Sequence, residues 1–247
     1  MKKICSVMAS AVLVALLLGV YSCTPQSKSN SETSENAVSL QWQEQDSDDP
    51  LTSLKKGNQR FVLNTPLHAR KDTERLQELI KGQNPKAIII SCSDSRVPPE
   101  VIFDQGLGDL FVIRTAGNVM GDYELGSVEY AAGHLHTKLV VVLGHSSCGA
   151  INAMIAHNCD GEHAHPVPGH IAAIVKTLGE GAEVKEVLAN KEAEALDMRA
   201  VKANVIDGVK QLRSCDPILK ELHEAGEIQI IGAIYHIETG EVEFLDF

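Results

Sequence analysis

Between residues 49 and 247 the chain alternates continuous apolar runs with stretches in which apolar residues recur at helical spacing. Lys86 to Ser91, Leu110 to Ile113 and Lys138 to Gly144 are nearly unbroken apolar runs, the pattern of strands covered on both faces. Asp49 and Pro50 form a helix start, the first as N-cap and the second at the first helical position, and Leu51, Leu54, Phe61 and Val62 then mark an amphipathic face. A second helix is predicted from Asp72 to Lys81 with Gly82 as its stop, and a third over Glu124 to His134, where Leu125, Val128 and Ala132 recur. Helices are also predicted over Gly149 to Ala156, Ile171 to Leu178, within Lys191 to Arg213, and between Asp216-Pro217 and Gly226. Pro98-Pro99 is read as a break in regular structure. Glu227 to Tyr235 and Glu241 to Phe244 read as a strand hairpin around Thr239-Gly240. Strands alternating with helices predict an α/β fold with a mainly parallel central sheet flanked by helices, closed by that C-terminal hairpin. In such sheets ligands bind beyond the carboxyl ends of the strands.

Composition narrows this picture. With 247 residues and 44% hydrophobic content the chain supports one α/β domain rather than two. Its net charge of −11 disfavours nucleic acid and anionic membrane surfaces as partners. The N-terminus has a targeting pattern: Lys2 and Lys3, an apolar run from Ile4 to Val20, then Tyr21-Ser22-Cys23. An uncleaved membrane anchor is one reading of the run. The ending resembles a bacterial lipoprotein signal, which implies cleavage after residue 22 and acylation of Cys23. Residues 23–49, rich in Ser, Asn and Glu, are too polar to bury a core and read as a flexible tether. These features imply an exported protein of the periplasm or cell envelope that touches a membrane only through its lipid.

Of six cysteines, four then remain in the folded part: Cys92, Cys148, Cys159 and Cys215. Cys159 and Cys215 read as buried free thiols. His157, Cys159, His163 and His165 fall in a His-, Gly- and Pro-rich stretch that reads as a surface loop rather than a metal site.

The chemistry gathers at two strand ends. Cys92, Asp94 and Arg96 alternate after the first apolar run, and on an extended backbone would share one surface. His145 and Cys148 follow the third run. Cys92, His145 and Cys148 make a Cys2His set suited to zinc, and three protein ligands leave one position open for water or substrate. Closure of that position by Asp94 would instead mark a noncatalytic zinc domain.

The sequence Cys92-Ser93-Asp94-Ser95-Arg96 together with His145-Ser146-Ser147-Cys148-Gly149 resembles the β-class carbonic anhydrases, over roughly Leu51 to Phe247. The resemblance implies a catalytic domain over residues 50–247, one Zn2+ per subunit on Cys92, His145 and Cys148, and reversible hydration of CO2 to bicarbonate and a proton through zinc-bound hydroxide. It further implies that Asp94 and Arg96 are the catalytic pair and that Gln83, Phe111, Tyr130 and Gly149 lie on the substrate side. Thr115 stands where the family often has Asn. Relatives of this fold hydrolyse carbonyl sulfide or carbon disulfide on the same metal shell, which is the alternative activity. The resemblance also implies a homodimer or dimer-built oligomer in which N-terminal helices embrace the neighbour, although the Leu51 to Val62 face equally suits its own sheet. Two thiolates beside zinc should acidify its water less than three histidines would, which places activity toward alkaline pH.

Overall fold

The computed structural model describes residues 49–159 and 166–246. The expected leader, Cys23 and all but the last residue of the tether lie outside these residues, as do His163 and His165. The elements in order are α1 (Pro50–Val62), α2 (Thr73–Leu79), β1 (Ala87–Cys92), α3 (Pro99–Ile102), β2 (Leu110–Thr115), α4 (Asp122–Gly133), β3 (Leu139–His145), α5 (Gly149–Cys159), α6 (Ile171–Glu180), α7 (Ala182–Ala189), α8 (Leu196–Arg213), α9 (Ile218–Glu224), β4 (Gln229–Tyr235) and β5 (Val242–Leu245). A single 3-10 turn, Ala116–Asn118, follows β2.

The five strands form one sheet in the order β2-β1-β3-β4-β5, parallel throughout except for the β4–β5 pair. β1 and β3 are buried along their whole length, which explains their unbroken apolar sequence. Each still has two faces. Ile88, Ile90, Val140 and Val142 pack under Val128, Ile151, Leu178, Val205 and Leu212 of α4, α5, α6 and α8. Ala87, Ile89, Leu139, Val141 and Leu143 meet Leu54 of α1 and Phe103 just after α3. Cys92 continues the first set, so its thiol emerges on the side of the larger helical layer.

Helix α1 covers its own sheet. Asp49 accepts the Thr52 amide at 2.8 Å as N-cap, and Asn58 reaches the Ile102 and Gly240 carbonyls while accepting the Val242 amide. The buried pair Arg60–Asp104, at 2.6 Å, locks the same helix to the chain after α3. At Gly57 a Cβ would stand 1.8 Å from the Phe103 carbonyl oxygen, so only glycine permits this approach.

Three local expectations change. Pro99 does not merely interrupt structure but opens the short α3, where its missing N–H costs nothing. The long helix begins at Leu196, and a separate α7 precedes it, started by Asp207, whose carboxylate accepts the Glu183 and Val184 amides from across the chain. Cys159 and Cys215 are free, as expected, but only half-buried, since each lies at or just beyond a helix end. Among the described residues no helix is long and apolar enough to cross a membrane.

Candidate metal centre

The last residue of β1 is Cys92 and the last of β3 is His145, so parallel pairing of neighbouring strands sets both at the carboxyl edge of the sheet. Cys148 follows on the turn into α5, which Ser147 enters with φ of 55°. The ligand atoms of Cys92, His145 and Cys148 all lie within 4.8 Å of one another, and all three residues are buried. Among the described residues Asp94 is not part of that group.

The electrostatics fit a cation. Burial disfavours charge on His145, yet the Cys92 sulfur, the Ser146 carbonyl and the Asp94 carboxylate together more than offset it and raise the imidazole pKa. The Cys148 thiol drives the first proton off Cys92 far below the usual thiol range, aided by the Gly117 and Asp94 amides at 3.4 Å from its sulfur. That charge, together with burial, pushes the Cys148 pKa up strongly, an opposition between two close thiolates that a bound cation would relieve. His145 donates from Nδ1 to its neighbour's carbonyl, Ser146 O, at 2.8 Å, which leaves the Nε2 lone pair free; that atom is buried and has no hydrogen-bond partner. A buried, orphaned nitrogen beside two sulfurs is the donor set that zinc takes at ~2.0–2.3 Å.

Asp94 and Arg96 come together, though not by strand alternation. β1 ends at Cys92, where its partner β2 ends at Thr115, and the chain then turns, with the Val97 amide donating to the Asp94 carbonyl at 3.0 Å. In that turn Asp94 Oδ1 accepts from the Arg96 backbone N–H and from Nε, both at 2.9 Å, while Oδ2 accepts from the second guanidinium nitrogen at 2.7 Å. This two-pronged bond holds the Asp94 carboxyl well below the usual carboxylate range. Arg96 also donates to Ser147 O at 3.2 Å, tying the pair to the second ligand loop.

Sequence reasoning missed Arg114 and Gly117. Arg114 donates to the carbonyls of Cys92 at 3.0 Å and Asp94 at 2.6 Å, fixing the backbone that carries both groups. Gly117, at φ 67°, turns its N–H onto the Cys92 sulfur, and Asn204 of α8 anchors its carbonyl at 3.0 Å. A cation ending an apolar strand and a glycine three residues on were the available signals.

The remaining residues divide. Gly149 starts α5 directly after Cys148, and a Cβ there would meet nothing within 4 Å, so open space adjoins the ligand loop. Gln83 precedes β1, and Phe111 pairs with Ile88 near the amino end of the sheet, four residues from the level of Cys92. That separation is ~13 Å along a strand. Tyr130 accompanies Phe111, ring centroids 6.3 Å apart. Within one chain these three do not join Cys92, His145 and Cys148.

The carbonic anhydrase family profile matches residues 87–242. The chain is 40% identical over 193 residues to a carbonic anhydrase of Mycolicibacterium smegmatis, covering 77% of this chain and 89% of that one. A carbonic anhydrase of Pseudomonas aeruginosa is 36% identical over 70% of this chain and 79% of its own. Among solved structures, the β-carbonic anhydrase CcaA superposes with a TM-score of 0.61 at 32% identity, over 70% of this chain and 85% of that one. The Coccomyxa β-carbonic anhydrase gives a TM-score of 0.58 at 26% identity, over 70% and 78%. With the same fold, the same Cys-His-Cys cluster and these relatives, the chain belongs to the β-class carbonic anhydrases.

Proposed function

We propose that this carbonic anhydrase is a zinc enzyme that hydrates CO2, acts as a homodimer or an oligomer built from dimers, and is held at a membrane by a lipid on Cys23. The observation that carries the first part is the separation of roles at the sheet edge. Cys92, His145 and Cys148 converge, while Asp94, the nearby carboxylate able to close the tetrahedron, is occupied on both oxygens by Arg96. A fourth position is thereby left for a small molecule, which favours a catalytic over a purely structural metal site.

Zinc held by these three residues would supply Lewis-acid activation of a water molecule near neutral pH. The protein's own part is orientation. Asp94, ionised and fixed, accepts a hydrogen bond from the attacking water and turns its lone pair toward the CO2 carbon. Arg96 keeps the carboxylate off the metal, and Arg114 holds the backbone beneath it. Gly149 leaves room beside the ligand loop for substrate.

The dimer reading rests on the distance of Gln83, Phe111 and Tyr130 from their own chain's metal ligands. If these residues serve the substrate side, they serve it on a second copy, with Gln83 donating to the bound substrate and Phe111 and Tyr130 walling it. The export reading rests on the sequence of residues 1–22 as a cleaved signal, Cys23 as the lipidated residue and residues 23–49 as a spacer for the domain at 50–247.

Stopped-flow CO2 hydration on zinc-loaded protein tests the core of this reading. Turnover should rise from neutral to alkaline pH and vanish on chelation. A folded, zinc-replete protein inactive across that range would refute it and direct attention to carbonyl sulfide and carbon disulfide. In a bacterial host, radiolabelled palmitate should enter the full chain and be absent from Cys23→Ala.

A further inference from the structure

The turn between β4 and β5 lies far from the ligands in sequence, yet it is bonded directly to the loop that carries them. Ser146, a buried residue between His145 and the turn to Cys148, is held to this hairpin at three points. Its amide donates to Tyr235 O at 3.0 Å, its Oγ accepts the Ile237 amide at 2.9 Å, and the same hydroxyl donates to Glu238 Oε2 at 2.8 Å. The second carboxylate oxygen of Glu238 accepts from Ser147 Oγ at 3.4 Å. Ser147, a non-glycine residue, has φ of 55°, a conformation that costs energy unless its surroundings hold it.

Both residues that Glu238 grips present carbonyls to the site. Ser146 O takes the Nδ1 proton of His145, and Ser147 O takes a proton of Arg96. From this geometry we propose that Glu238 is a positioning residue, which acts through Ser146 and Ser147 to fix the His145 ring and the Arg96 side chain. Glu238 itself is exposed, but the Ser146 hydroxyl is not. Removing the carboxylate leaves a buried donor without an acceptor and takes away one of the three holds on Ser146 together with the side-chain hold on Ser147, which loosens the 146–147 backbone. The carbonyl that selects the imidazole tautomer is then held less firmly, and the metal meets a less preset ligand.

The proposal rests on Cys92, His145 and Cys148 being the zinc shell, and the experiment separates the two ideas. Zinc content and transfer of zinc to a chelator are measured on the full chain, with 15N shifts of the His145 ring in the metal-free protein at a pH high enough to keep the ring neutral. Wild type should bind one zinc, and failure there would overturn the shell and this proposal together. Glu238→Ala should lose zinc about 10- to 100-fold faster and show a mixed His145 tautomer. Glu238→Gln, which keeps an acceptor for Ser146, should restore most of the retention. Ser146→Ala should reproduce the Glu238→Ala defect, and the double variant should add little to either, since the two residues form one path. Should Glu238→Ala fail to fold, Glu238→Asp, whose carboxylate is one methylene shorter, takes its place, because Ser146→Ala also removes the acceptor of the Ile237 amide. Wild-type zinc retention with unchanged ring shifts in Glu238→Ala or Ser146→Ala, or full additivity in the double variant, would overturn the role of Glu238.

Discussion

Both carboxylate oxygens of Asp94 accept from Arg96, and in the proposed mechanism that fork keeps the carboxylate off the metal. Replacing Asp94 by Asn keeps the size and removes the charge; hydration should fall about 100- to 10,000-fold with zinc content unchanged. Near-normal turnover in that variant would remove Asp94 from catalysis. The same residue has a signature in stability. Its pKa is lowered on folding by Arg96, so its contribution is complete above the ordinary Asp value of ~3.9 and is lost as the pH falls toward the folded value. In urea melts, the stability gap between wild type and Asp94→Asn should therefore stay constant from about pH 8 to 5 and narrow only below about pH 4. The cysteines make a separate prediction. Because Cys148 stabilises a thiolate on Cys92, chelation of the metal should expose a sulfur that iodoacetamide modifies at neutral pH faster than Cys159 or Cys215, and zinc should protect it. Equal rates with and without metal, followed by peptide mapping, would contradict this ligand set.

Elements set these residues in place, and here Gly144 is the sensitive joint. A Cβ on it would stand 2.6 Å from Val205 and 3.2 Å from Val201, both branched and buried on α8. Gly144→Ala should push α8 off β3, cost about 1–3 kcal/mol in a denaturant melt and, being next to His145, weaken zinc binding in a competition titration. Unchanged stability would show that α8 yields freely. The strands that meet at this joint were legible from sequence because they are buried on both faces, and Cys92 and His145 were legible because reactive side chains have no structural reason to end such runs. Caps at Asp49 and the hairpin at Thr239-Gly240 were legible for local reasons too. What sequence did not disclose depends on distant partners. α7 starts on Asp207 of another helix, the 94–97 turn forms where β2 stops supplying hydrogen bonds, and Glu238 meets Ser146 across 92 positions. No window of neighbouring residues contains those pairings.

At the scale of the whole molecule the two ends of the sheet carry different halves of the proposed site. Metal ligands and the Asp94–Arg96 pair are at the carboxyl edge, while Gln83, Phe111 and Tyr130 are toward the amino end. Helix α1 folds onto its own sheet through Leu54, Asn58 and Arg60, so it is not a free arm that could bridge this distance within one chain. Tyr130 remains about half exposed on α4, at 47%, which leaves its ring available to another surface. If a second copy completes each site, then mixing two defective chains must restore activity. In a heterodimer of Gln83→Ala with Asp94→Asn, one site carries both lesions and the other carries neither. Equal co-expression gives about half heterodimers, and hence about a quarter of wild-type activity from chains that are separately inactive. If Gln83 instead served its own chain's metal, every site in every dimer would stay defective and the mixture would show no recovery.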